Sequence, residues 1–119
     1  MLKKNCLLNI SGDKDRLLIV LSGEIDHHNA VWIRNEIDSK ISELQPLRAV
    51  MDLSGIDFMD SSGLGLIMGR FSKMRALGGE LSLLDPGERL MKIFTLAGLE
   101  KVVMIEHGDD AEKEVKNEN

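Results

Sequence analysis

The sequence predicts an α/β fold: a single domain with a mixed, mostly parallel sheet and helices packed on it. Three observations carry this. The chain has 119 residues, 43% of them hydrophobic, which is enough for one sizeable core. Near the N-terminus, two short apolar runs are separated only by a polar turn, the signature of an antiparallel pair. After them, runs of strand length alternate with stretches of helical periodicity, a pattern that builds parallel strands through crossover helices.

The elements follow in order. Cys6 to Ser11 is a first strand, Gly12-Asp13-Lys14-Asp15 a turn, and Arg16 to Ser22 a second strand ended by Gly23. Asp26 is an N-cap residue type placed before a helix. Ala30, Ile33, Ile37, Ile41 and Leu44 then recur at spacings of 3, 4, 4 and 3, one face of that helix, which Pro46 ends. Ala49 to Leu53 reads as a strand and Ile56 to Asp60 as a loop. Asp60 or Ser61 caps the next helix, with Leu64, Ile67, Phe71 and Met74 as its expected buried face and Gly78-Gly79 as its stop. Leu81 to Leu84 is a strand. Pro86-Gly87 opens a helix with Leu90, Ile93, Phe94 and Leu96-Ala97 on its apolar side and Gly98 as its C-cap. The order is ββαβαβα, with Val102 to Ile105 adding a last short strand. Residues 106–119 form an expected acidic helical tail, holding six acids against two lysines, hence −4 of the −5 net charge. Such a tail is a solvated, fraying helix or an acidic docking segment.

Composition excludes several functions. Aromatic residues are 3%, with no tyrosine, and 15 basic side chains face 20 acidic ones. A nucleic-acid reader built on stacking and a basic face is therefore not expected. The longest apolar run, Leu17 to Leu21, is far below the ~20 residues of a spanning helix, and no apolar h-region follows Met1-Leu2-Lys3-Lys4. One cysteine, Cys6, forms no internal disulfide and leaves no cysteine-rich metal site. These features lead us to expect a cytoplasmic protein with no membrane partner.

Two clusters carry possible chemistry. The sharper is Phe58-Met59-Asp60-Ser61-Ser62-Gly63-Leu64-Gly65, between a strand and a helix. A helix start leaves backbone N–H groups without helical partners, and the dipole favours negative charge there. A phosphate on Ser61 would sit well at such a point. The simpler reading is that Asp60 or Ser61 only caps the helix, although a cap needs neither a second serine nor two glycines behind it. Gly65, Gly69, Ser72 and Ala76 recur along the helix at spacings of 4, 3 and 4, a smooth strip open to a partner protein or to a neighbouring helix of the same domain. The second cluster is Glu24-Ile25-Asp26-His27-His28-Asn29, after a strand on the same expected edge of the sheet, where sites in open α/β folds gather. Adjacent histidines seldom face one ion, so capping by Asp26 with surface histidines outweighs a metal site, and no metal is expected. Enzyme signatures are missing. There is no Gly-x-Ser-x-Gly elbow, P-loop or dinucleotide fingerprint, and a small serine hydrolase would need His27 or His28 as base through tertiary proximity alone.

Both blocks, in a chain of this size and element order, resemble the STAS domain of anti-sigma factor antagonists, over nearly the whole chain except the acidic tail. Neither block departs from the family pattern. The resemblance implies a non-enzymatic partner switch, with the chain as one STAS domain over 1–119. The unmodified form binds an anti-sigma factor that is also a serine kinase, and so releases a sigma factor. That kinase phosphorylates the first serine of the pair, Ser61, with Ser62 as the alternative acceptor. A PP2C-type phosphatase reverses the step. No cofactor is implied for this chain, since the ATP belongs to the kinase. Asp60, Ser61, Ser62, Gly63, Leu64 and Gly65 are the implied docking surface, with Glu24, Asp26 and His27 beside it. The blocks lean to a sporulation regulator, with a general stress-response antagonist as the alternative.

Overall fold

The computed structural model describes residues 6–108. Five strands form one sheet in the order β1-β2-β3-β4-β5: β1 Cys6–Gly12, β2 Arg16–Ile25, β3 Arg48–Met59, β4 Glu80–Leu84 and β5 Met104–Glu106. β1 is antiparallel to β2, and all later pairs are parallel. The crossovers are α1 His27–Leu44, α2 Ser61–Ala76 and α3 Glu88–Ala97, the last followed by a single 3-10 turn at Leu99–Lys101. The expected α/β class, the order of elements and the mostly parallel sheet are all present.

The core follows from the apolar periods. Leu17, Ile19 and Leu21 of β2 alternate inward and are buried. Ile33, Ile37 and Ile41 of α1, spaced four apart, lie on one helix face and are fully buried in the same cluster. α1 packs on β1 and β2, and α2 on β3 and β4.

Five expectations are corrected. The segment 56–60, read as a loop, is mostly strand, since β3 runs on to Met59 and β2 to Ile25. Between them, the ten residues of β2 pair with the twelve of β3 through two register shifts, at Val20/Ser22 and Gly23/Glu24. Each shift places an extra residue in β3, a bulge that breaks the two-residue alternation. Inward residues there are consequently Leu53, Ile56 and Met59, three apart, so the pattern no longer looks like a strand. Gly23 sits at the second shift with φ 98°, a conformation that favours glycine.

The buried residues of α2 are Gly63, Leu66, Ile67, Arg70 and Met74, whereas Leu64 and Phe71 are only half-buried. The stripe is rotated because α2 packs on α1 as well as on the sheet, and Arg70 turns to pair with Asp38 of α1. Leu96 is 90% exposed, because it lies two residues from Phe94 and therefore off the face shared by Leu90 and Phe94. Finally, Glu106 belongs to β5, so the acidic tail does not begin as helix at 106, and its stretch 109–119 lies outside the described residues. Val102 precedes β5 rather than opening it. Among the described residues no helix is long and apolar enough to cross a membrane.

Cys6 is 1% exposed in β1. Burial, reinforced by the nearby negative charge of Asp26, pushes its thiol pKa up, against a smaller opposing pull from the Ser22 backbone. Cys6 in the native chain is therefore expected to react with a thiol reagent at least about a hundredfold more slowly than in urea at the same pH. Equal rates in a stopped-flow comparison would contradict the burial.

Candidate functional site

β2 and β3 end side by side at Ile25 and Met59, which are register partners. Each strand is followed by one aspartate and then a helix. The Asp26 side chain caps α1, its Oδ1 accepting from the N–H groups of His28 at 3.0 Å and Asn29 at 2.9 Å. The Asp60 side chain caps α2, its Oδ1 accepting from the Ser62 N–H at 2.8 Å. Of the two expected cap candidates for α2, Asp60 holds the position. The two caps are joined, because the Asp60 N–H donates to the Ile25 carbonyl at 3.2 Å. Two helix N-termini therefore open on the same edge of the sheet, and the two sequence clusters converge.

Asn29 holds the first corner from beneath. It is 3% exposed, and its Nδ2 donates to the Glu24 carbonyl at 2.9 Å. Its Oδ1 accepts from Trp32 Nε1 at 3.4 Å. Backbone donation to the Asp26 carboxylate, from Asn29 first and then from His28, lowers its pKa, and charge on the two imidazoles lowers it further. The rings of His27 and His28 meet edge to face with centroids 4.0 Å apart. Among the described residues, no group of three or more histidine, cysteine, aspartate or glutamate side chains is placed so that it could hold a metal ion.

The residues named from sequence separate by exposure. Ser61, Gly65, Glu24 and His27 are exposed, and Ser62, Leu64, Asp60 and Asp26 are half-buried. Gly63 is buried and faces inward, so it does not present itself to a partner. A Cβ there would overlap Met59 Cγ and lie 2.6 Å from its Sδ. Gly63 is thus needed for packing, because it lets the first turn of α2 settle on Met59. Gly65 and Gly69 differ, since a Cβ on either meets nothing within 4 Å. The small-residue strip is therefore not a close contact with a neighbouring helix. It opens onto a groove of about 460 Å³ between α1 and α2.

Two residues here escaped the sequence reading, and Phe58 was read there only as part of its cluster. Phe58 is 46% exposed and pairs in register with Glu24. An exposed aromatic in a chain so poor in them was the available signal. Arg34 and Arg70 line the groove, and no sequence signal marked them.

Gly63→Ala should destabilise the fold by about 1–3 kcal/mol through overpacking. Gly65→Ala and Gly69→Ala should each stabilise it by about 1 kcal/mol through helix propensity. Urea denaturation of the three variants checks both signs, and a destabilised Gly69→Ala would show that the strip is packed after all. The Asp26 carboxyl should titrate below the ordinary aspartate value of about 3.9. A lowered native pKa contributes stability that is fully present above the unfolded value and is lost as pH falls through the native one. Carbon-detected NMR titration reads that pKa, and Asp26→Asn should flatten this part of the acid limb of stability.

Comparison with known proteins matches the same span. The family model for the STAS domain matches residues 8–114. An anti-sigma F factor antagonist of Paenibacillus polymyxa is 34% identical over 101 residues, covering 85% of this chain and 86% of its own length. An anti-sigma-B factor antagonist of Listeria monocytogenes is 32% identical over 96 residues, covering 80% of this chain and 82% of its own. Among solved structures, the anti-sigma factor antagonist SpoIIAA in its unphosphorylated form superposes with a TM-score of 0.76 at 29% identity, covering 93% of this chain and 97% of that one. On its sheet order, its paired helix N-termini and these matches, the chain belongs to the STAS domain family.

Proposed function

We propose that this chain is an anti-sigma factor antagonist gated by phosphorylation of Ser61. The unphosphorylated form binds an anti-sigma factor that is also a serine kinase, and the sigma factor held by that protein is released. The kinase transfers phosphate from its own ATP to Ser61, and a PP2C-type phosphatase removes it. The chain itself is regulatory and performs no catalysis. The observation that carries this reading is the placement of Ser61. It is exposed, it opens α2, and it follows the Asp60 cap on the edge where both helix N-termini meet.

The physics of the step is local. A phosphate brings about −1.5 to −2 charge and three acceptor oxygens. The N-terminal end of α2 favours that charge, so the fold has no reason to rearrange. At a kinase surface the same group meets the nucleotide's phosphates and takes space. A penalty of roughly 3 kcal/mol is enough to weaken binding more than a hundredfold. The sigma factor is proposed to be a sporulation factor, supported by the likeness to antagonists of anti-sigma F and to SpoIIAA. The likeness to an anti-sigma-B antagonist supports a stress-response role as the second reading.

Labelled ATP with the cognate anti-sigma factor kinase should mark the wild type and not Ser61→Ala, while Ser61→Ala still binds. Label on Ser61→Ala would move the acceptor to Ser62, and no label on either protein would overturn the switch. Amide chemical shifts of α2 beyond its first turn should be nearly unchanged on phosphorylation. Binding to each anti-sigma factor of the host genome separates the sporulation reading from the stress reading.

A further inference from the structure

The groove between α1 and α2 begins beside the proposed switch and is not explained by it. Ser62 and His27 stand at one end, Gly65 and Gly69 leave its α2 wall open, and Arg34 and Arg70 stand at the other end. Among the described residues no acidic side chain lines it, although the chain as a whole carries −5. From Ser62 to Arg70 the wall is about 12 Å long at 1.5 Å per helical residue, room for three or four residues of an extended segment.

Arg70 is the second, independent observation. It is 7% exposed, and its Nε lies 2.9 Å from Asp38 Oδ1, close enough for an ion pair but not aligned as a hydrogen bond. Its Nη1 is buried and has no acceptor among the described residues. Burial, together with the charge of Arg34, lowers the pKa of this guanidinium, and Asp38 opposes that shift only in part. Arg70 thus has one carboxylate partner, and Arg34, which also lines the groove, adds a second positive charge near it. A buried donor without an acceptor is costly, and a second carboxylate would supply what is missing.

We infer that this groove receives an acidic side chain of the anti-sigma factor, seated against Arg34 and Arg70. The inference rests on the proposed function for its partner, and on charge complementarity for its chemistry. The edge beside the groove has the opposite sign, with Glu24, Asp26 and Asp60. A partner surface that fits both must be basic at the sheet edge and acidic along the groove, which fixes one direction of docking.

The test is the dissociation constant of the full-length chain with its cognate anti-sigma factor, measured at low and high salt by calorimetry. Wild type is compared with Arg34→Glu, Arg34→Gln and Gly69→Met, each checked for native melting. Arg34 is exposed and a Cβ at Gly69 meets open space, so these variants are expected to fold. Arg34→Glu should weaken binding by about tenfold or more at low salt and by less at high salt, with Arg34→Gln between it and wild type. Gly69→Met should weaken binding by filling the groove. If wild type binds and all three variants stay within about twofold of it, the groove assignment is overturned and the proposed function stands. If wild type does not bind, both are overturned. If inorganic phosphate alone binds wild type and not Arg34→Glu, while partner binding is unchanged, the groove takes a small anion and the partner assignment is overturned.

Discussion

The hydrogen bond from the Asp60 N–H to the Ile25 carbonyl holds together everything at the functional edge. It closes the parallel pairing of β2 and β3 at the point where both strands give way to helices. Without it, the Asp26 and Asp60 caps would belong to two independent corners. With it, the N-termini of α1 and α2 open onto one surface, and Ser62 and His27 line the same groove. The bond forms only because β3 carries two residues more than β2 along their shared length, which brings Met59 level with Ile25.

Rigidity at this edge comes from below. Asn29 is buried and ties the end of β2 to the first turn of α1 through the Glu24 carbonyl. Met59 supports the first turn of α2, and Gly63 is the residue type that permits that contact. A modified serine on such a platform changes charge and shape at a fixed place. That suits a surface read by a partner better than a segment that must refold.

The surface itself is polarised. Carboxylates cluster at the sheet edge, while two arginines stand along the α1–α2 wall. Net charge gives no hint of this, because the −5 of the whole chain is dominated by its last fourteen residues. Partner choice depends on where charges stand in space more than on their total.

The sequence by itself determined the class of fold, most of the elements and where two helices are capped. Apolar periods of two and of about 3.6 are local, so Ile33, Ile37 and Ile41 announced a buried helix face unaided. Asp26 announced a cap, and Asp60 or Ser61 another, because capping is satisfied within three residues. Tertiary structure decided what depends on distant partners. The far half of β3 is a strand because β2 lies beside it, with two bulges in β3 keeping the pair in register. Leu64 and Phe71 yielded the buried face of α2 to Leu66 and Arg70 because Asp38, 32 residues earlier, lies across the helix interface. Gly63 and Gly65 look alike in the chain, yet one packs on Met59 and the other faces open space. The groove with its arginines is the extreme case, since it consists of the gap between two helices and no single segment contains it.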